Sequence, residues 1–185
     1  MKNNHLPSNP NKEVDFSHSD LQEIWLAGGC FWGTEAYMAR VPGVADTTVG
    51  YANGRTENPT YEEVCHRNTG HAEAVLVRYD PARLSLAALL KHFYAIIDPT
   101  ALNRQGGDTG TQYRSGIYYR DKTDLPVITA VTKEEQIAHA RPVVTEILPL
   151  VHFFPAEAYH QDYLEKNPGG YCHVHFDTLT MDAGT

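Results

Sequence analysis

Apolar and polar positions alternate in short blocks along this chain, and the period within each block predicts its backbone. Ile24, Trp25, Leu26 and Ala27 form an apolar run too short for a helix, so 23–27 reads as a first strand. Past a glycine-rich turn, Phe31, Tyr37, Met38 and Val41 recur on one helical face, and Pro42-Gly43 stops that helix near Val41. Thr47, Thr48, Val49 and Tyr51 favour extended backbone over 46–52, and Asn53-Gly54 turns the chain. Thr60 is placed to cap a short helix through Cys65, with Glu62 and Glu63 at its positive end. Residues 73–79 alternate as a strand that ends at Asp80-Pro81. Ser85 caps a helix over 86–97 that is apolar on most sides and therefore buried on most sides.

Residues 98–115 read as one long loop, and a loop of that length in a compact domain usually carries function. A Tyr-rich strand follows at 116–120, then a helix capped by Thr123 that runs to about His139 with Pro126 in its first turn. Residues 143–147 look strand-like. Pro155 opens a last helix through Lys166, and Asn167-Pro168-Gly169-Gly170 breaks it. From Tyr171 onward the packing signal is weak. Strands alternating with helices imply a two-layer or doubly covered α/β arrangement, and the pattern leaves the strand order open.

Composition narrows the function. A chain of 185 residues suits one domain with tails: a flexible polar start over 1–20, a main domain over 21–166 and a Gly-rich end over 167–185. The formal charge of −8 argues against nucleic acid as a partner, and no apolar stretch is long enough to span a membrane. The start of the chain lacks the apolar core of a signal peptide, which predicts a cytoplasmic protein. Cys30, Cys65 and Cys172 are too few and too far apart for a disulfide framework, so they are expected to be catalytic or inert thiols.

The chemistry centres on Gly28-Gly29-Cys30-Phe31-Trp32-Gly33. A thiol at a strand-to-helix turn meets unpaired N–H groups and the positive end of the helix dipole, which favours the nucleophilic thiolate. Phe31 and Trp32 offer an apolar wall beside the sulfur. The glycines allow close backbone approach, which an inert core thiol does not need. A phosphate loop is the competing reading of such a turn, but Thr34-Glu35 stands where Lys-Ser or Lys-Thr is required. Glu73 sits at a strand entrance, Asp108, Gln112 and Tyr113 lie on the long loop, and Tyr61 opens the short helix. Cys172-His173-Val174-His175 clusters metal-ligating types, but no second cluster is at hand, and the reading favours no metal.

Six blocks, taken in order, are similar to the A-type peptide methionine sulfoxide reductases: 29–33 (Gly-Cys-Phe-Trp-Gly), 59–65 (Pro-Thr-Tyr-Glu-Glu-Val-Cys), 69–73 (Thr-Gly-His-Ala-Glu), 108–115 (Asp-Thr-Gly-Thr-Gln-Tyr-Arg-Ser), 155–163 (Pro-Ala-Glu-Ala-Tyr-His-Gln-Asp-Tyr) and 167–172 (Asn-Pro-Gly-Gly-Tyr-Cys). The resemblance implies an α+β two-layer sandwich with a ferredoxin-like core, a mixed sheet and a long C-terminal coil. It implies that Phe31 and Trp32 hold the substrate methyl, that Cys30 attacks sulfur, and that Glu73 protonates the sulfoxide oxygen. Tyr61 and Tyr113 would hydrogen-bond that oxygen, with Asp108 in support. Attack would leave a Cys30 sulfenic acid and release methionine. Cys172 matches the resolving position, which implies a Cys30–Cys172 disulfide recycled by thioredoxin, with no cofactor. Cys65 matches a buried, non-catalytic position. Expected substrates are oxidised polypeptides or free methionine-S-sulfoxide, and the expected state is a monomer. Two departures stand out: no cysteine follows Cys172, and His66-Arg67-Asn68 replaces a smaller Ser-Gly pair at the rim.

Two other classes compete. One is a cysteine hydrolase or acyltransferase in which a histidine serves Cys30 as base; the other is a redox-sensing module without turnover. Methionine as the product of incubation with the sulfoxide separates the reductase from both.

Overall fold

The computed structural model describes residues 6–180; residues 1–5 and 181–185 of the two expected tails lie outside the described residues. Strand β1 (Gln22–Ala27), helix α1 (Phe31–Met38), strand β2 (Val44–Ala52), helix α2 (Tyr61–His66), strand β3 (Ala72–Tyr79) and helix α3 (Leu86–Ala95) follow the predicted order. A small hairpin, β4 (Arg104–Gln105) and β5 (Asp108–Thr109), precedes β6 (Gly116–Tyr119). Helix α4 (Leu125–Ile137), strands β7 (Glu146–Pro149) and β8 (Phe153–Pro155) and the short helix α5 (Tyr163–Lys166) complete the regular structure.

The main sheet runs β7-β6-β1-β3-β2-β8. Its neighbours are antiparallel except β6 and β7, which are parallel, so the sheet is mixed. Four of these strands with α1 and α3 make a β-α-β-β-α-β unit in the order β6-β1-β3-β2, the ferredoxin-like arrangement. Ile24, Leu26, Val75, Val77 and Tyr51 point to the helical side and build the larger core with α1, α3 and α4. Trp25, Ala74, Leu76 and Tyr118 face the other way, under Leu150 and Phe153. The result is the two-layer sandwich.

Local chemistry explains several boundaries. Thr60 and Glu63 form a reciprocal capping box at α2, and the Ser85 hydroxyl accepts the Ala88 N–H at α3. Asp121 rather than Thr123 starts the approach to α4: its carboxylate accepts the Thr123 N–H in a 3-10 turn. The 98–115 loop is interrupted by the β4–β5 hairpin and a 3-10 turn over Thr111–Tyr113. At the polar start, Asn11 is buried and bonds Ala39, Val41 and Gly43.

The expected helix over 155–166 does not form as one element. Pro155 belongs to β8, Ala158–His160 is a 3-10 turn, Asp162 takes a left-handed φ of 53°, and only Tyr163–Lys166 is α-helical. The cause lies outside the segment. The Gln161 amide accepts the Val49 N–H and donates to the Val49 carbonyl, so it satisfies the β2 edge and draws the chain along the sheet. The C-terminal coil also packs better than its sequence implies. Val174 is buried, and a Cβ at Gly33 would meet its side chain at 3.1 Å.

Candidate active site

The turn before α1 depends on glycine. Gly29 has a φ of +84°, and a Cβ there would stand 2.6 Å from Gln105 Cβ. The Thr34 hydroxyl donates back to the Gly28 carbonyl at 3.2 Å and tightens the turn. Cys30 occupies the N-cap of α1. Glu35, which the phosphate-loop argument weighed, faces away from this turn: its buried carboxylate accepts from Thr47 and from the Asp162 N–H. Burial pushes its pKa up to about 8.

The Cys30 thiol does not behave as the helix start alone predicts. Burial is the largest influence and raises its pKa, with the Glu73 charge adding to it. The Trp32 backbone N–H pulls the other way and favours the thiolate. Desolvation outweighs the helix terminus, so the free enzyme holds a protonated thiol.

Glu73 enters from β3, opposite Tyr51 on β2, and is 1% exposed. Its Oε2 accepts the Phe31 N–H at 3.0 Å, one residue after Cys30. Burial, with Asp108 in the same direction, pushes its pKa up to about 8, so it is a carboxylic acid at neutral pH. Tyr61 at the start of α2 and Tyr113 after β5 are both raised, first by burial and then, for Tyr61, by the Cys65 thiol beside it and, for Tyr113, by Glu73. Both therefore remain hydrogen-bond donors. Asp108 comes from the hairpin, and its Oδ2 is buried without a hydrogen-bond partner among the described residues.

Phe31 is buried against the Tyr51 and His160 rings at 5.9 Å and 5.2 Å. Trp32 stacks on Tyr163 at 3.7 Å with an 11° interplanar angle. Its indole N–H donates to His160 Nδ1 at 3.0 Å. Glu157 accepts from the Tyr51 hydroxyl and from the Tyr61 N–H. The reading of single residues therefore missed Tyr51, Glu157, His160 and Tyr163. The aromatic density of 159–163 was the available signal, and a helix assumed over 155–166 hid it.

Cys172 lies against the first turn of α1: its Sγ is 3.1 Å from a Cβ built on Gly33. Its charge is among those that raise Cys30. All three cysteines are free thiols. Cys65 is only half-buried and stands one helical turn after Tyr61. His173 Nε2 donates to the Gly28 carbonyl at 3.0 Å, which ties the C-terminal coil to the turn before Cys30. Among the described residues no group of three or more His, Cys, Asp or Glu is gathered to hold a metal ion.

No histidine hydrogen-bonds the Cys30 sulfur among the described residues; His160 bonds Trp32 and His173 bonds Gly28. A cysteine hydrolase needs such a base. A buried thiol ringed by proton donors suits an electrophile that takes up a proton as it is attacked, which is the work of a thiol-dependent oxidoreductase. The family model for peptide methionine sulfoxide reductases matches residues 22–183. The peptide methionine sulfoxide reductase MsrA of Clostridium botulinum (strain Okra / Type B1) is 59% identical over 157 residues, 85% of this chain and 100% of the relative. The reduced-form crystal structure of Mxr1 from Saccharomyces cerevisiae aligns with a TM-score of 0.80 at 39% identity, covering 89% of this chain and 96% of that one. Mxr1 in complex with Trx2 aligns with a TM-score of 0.57 at 28% identity, over 82% and 91% of the two chains. This chain belongs to the peptide methionine sulfoxide reductase family.

Proposed function

We propose that Cys30 reduces methionine-S-sulfoxide, free or in polypeptides, and that Cys172 resolves the product. The observation that carries this reading is Glu73, a buried carboxylic acid protonated up to about pH 8 and bonded to the N–H next to the nucleophile. The substrate methyl rests on Phe31 and Trp32. Tyr61 and Tyr113 donate to the oxygen, and Asp108 supports them. Glu73 passes its proton to that oxygen as the sulfoxide sulfur becomes electrophilic, and recovers a proton from the Cys30 thiol as it attacks. Attack joins the Cys30 sulfur to the substrate sulfur; the oxygen then moves to the Cys30 sulfur as the substrate S–O bond and the transient S–S bond break, so methionine leaves with its sulfur reduced and Cys30 is left oxidised as a sulfenic acid. Its condensation with the Cys172 thiol forms the Cys30–Cys172 disulfide and releases water.

Electrons then come from thioredoxin, a reading that the Mxr1–Trx2 complex supports, and no resident cofactor is needed. In this reading residues 21–166 carry the reduction step and 167–185 the resolving thiol, in a cytoplasmic monomer. A non-reducing peptide map after one turnover is expected to recover residues around Cys30 linked to those around Cys172. A map with both cysteines unlinked after methionine has been released would overturn the resolving step.

Glu73 sets a pH dependence. The reactive form carries the proton, so kcat/KM with dithiothreitol is expected to fall as pH rises through about 8. Glu73→Gln keeps an acceptor for the Phe31 N–H but cannot give a proton, and should lower kcat by roughly 10²–10⁴. A Gln variant with normal rates and the same falling limb would remove Glu73 as the acid.

A further inference from the structure

Of the cluster Cys172-His173-Val174-His175, the chemistry above gives a role to Cys172 alone. We infer that His173 is a positioning residue for the resolving step: its imidazole is the peg that seats the Cys172 coil against the turn before Cys30. The inference rests on the reading of Cys172 as the resolving thiol.

Successive residues of the coil meet different neighbours. Cys172 and Val174 lie against α1, where a Cβ on Gly33 would meet the Cys172 sulfur and the Val174 side chain, each at 3.1 Å. His173, between them, enters a slot with a glycine on either side. A Cβ on Gly29, in the turn before Cys30, would stand 3.1 Å from His173 Nε2. A Cβ on Gly106, in the turn of the β4–β5 hairpin, would stand 2.9 Å from His173 Cβ. Both glycines take left-handed φ values, +84° and +55°, so neither position suits a side chain. The hairpin wall is itself held. Gln105, beside Gly106, is buried, and its amide bonds the Asp98 N–H at 2.8 Å and the Asp98 carbonyl at 2.7 Å.

A carbonyl can only accept, so His173 Nε2 carries the proton that it donates to Gly28, and Nδ1 keeps its lone pair. Burial lowers the pKa of His173, which favours this neutral ring. Nδ1 is buried without a hydrogen-bond partner among the described residues, so the bond to Gly28 is the polar anchor of the ring. In the resolving step the Cys172 sulfur displaces the oxygen of the Cys30 sulfenic acid. The S–S bond forms, the S–O bond breaks, and the thiol proton leaves with the oxygen as water. Such a step is fast only when the two groups are held in the right geometry. His173 is covalently next to Cys172 and bonded to the residue two before Cys30, so it ties together the backbone on both sides of the reaction. The Gly28 carbonyl keeps a second donor, the Thr34 hydroxyl at 3.2 Å, so the turn itself does not depend on His173.

The test follows the two halves of the cycle in the full chain, mixed with methionine sulfoxide and no reductant. Methionine release reports the first half. Quenched non-reducing peptide maps and capture of the sulfenic acid by dimedone report the second. His173→Leu keeps an apolar side chain but donates nothing. Methionine should appear at the parent rate, disulfide formation should slow about 10- to 100-fold, and dimedone should trap Cys30 in the interval. His173→Gln carries an amide N–H toward the Nε2 position and should restore the disulfide rate substantially. His173→Asn reaches only toward the Nδ1 position and should not. In a long-range ¹H–¹⁵N spectrum of the parent, His173 should show a protonated Nε2 and a bare Nδ1, with His173→Leu assigning the signals. Should the Leu variant lose its near-UV circular dichroism, the Gln and Asn pair carries the comparison. The inference is overturned if His173→Leu forms the disulfide at the parent rate, if Gln is no better than Asn, or if the ring proton sits on Nδ1. It is also overturned if methionine release slows as much as disulfide formation, since the ring would then serve the Cys30 turn rather than resolution. If Cys172→Ser cycles normally with thioredoxin, the resolving reading itself fails; a blocked Cys172→Ser with a normal His173→Leu overturns only the role of His173.

Discussion

Cys30→Ser is expected to yield no methionine above background from methionine sulfoxide, with dithiothreitol or with thioredoxin. A serine hydroxyl cannot accept the sulfoxide oxygen as a sulfenic acid, so the loss is one of chemistry rather than of rate. The fold should survive the change. Cys30 is the N-cap of α1, a position where serine is favoured, and its sulfur faces the Trp32 N–H that a serine oxygen can accept. An unchanged thermal melt together with zero turnover is the expected pair of results. Residual turnover would move the nucleophile elsewhere, with half-buried Cys65 the first thiol to examine.

Cys172→Ser should separate the two halves of the cycle. The first turnover is expected to proceed normally, with one equivalent of methionine released and a sulfenic acid on Cys30 that dimedone captures. Thioredoxin-supported turnover should stop. Cys172 Sγ lies 3.1 Å from a Cβ built on Gly33, in the first turn of the helix that Cys30 caps. The next residue, His173, is bonded to the Gly28 carbonyl in the turn before Cys30. Normal cycling of Cys172→Ser with thioredoxin would refute the assignment.

Most of the strands and the capped helices were legible because their causes are local. Thr60 and Glu63 meet within one turn, and Ser85 reaches Ala88, so the residues that define these helix starts are adjacent in the chain. The 155–166 segment was misread for the complementary reason. Its pattern is compatible with a helix, but Val49, more than a hundred residues earlier, offers Gln161 an open sheet edge. The coil at Val174 shows little signal because its packing surface is Gly33, a residue that contributes by having no side chain.

The same division runs through the site. The amino-acid sequence by itself singled out the residues proposed as nucleophile, methyl wall, acid, phenol donors and resolving thiol, since each stands in a motif a few residues long. Their states were settled by folding. Cys30 is a protonated thiol despite its helix N-terminus, and Glu73 is an acid protonated up to about pH 8, because each is desolvated and feels neighbouring charge. The hold of His160 and Tyr163 on Trp32 likewise joins positions some 130 residues apart. Burial and charge are sums over neighbours that the chain brings together only in three dimensions, so residue types can be read along the sequence while their protonation and orientation cannot.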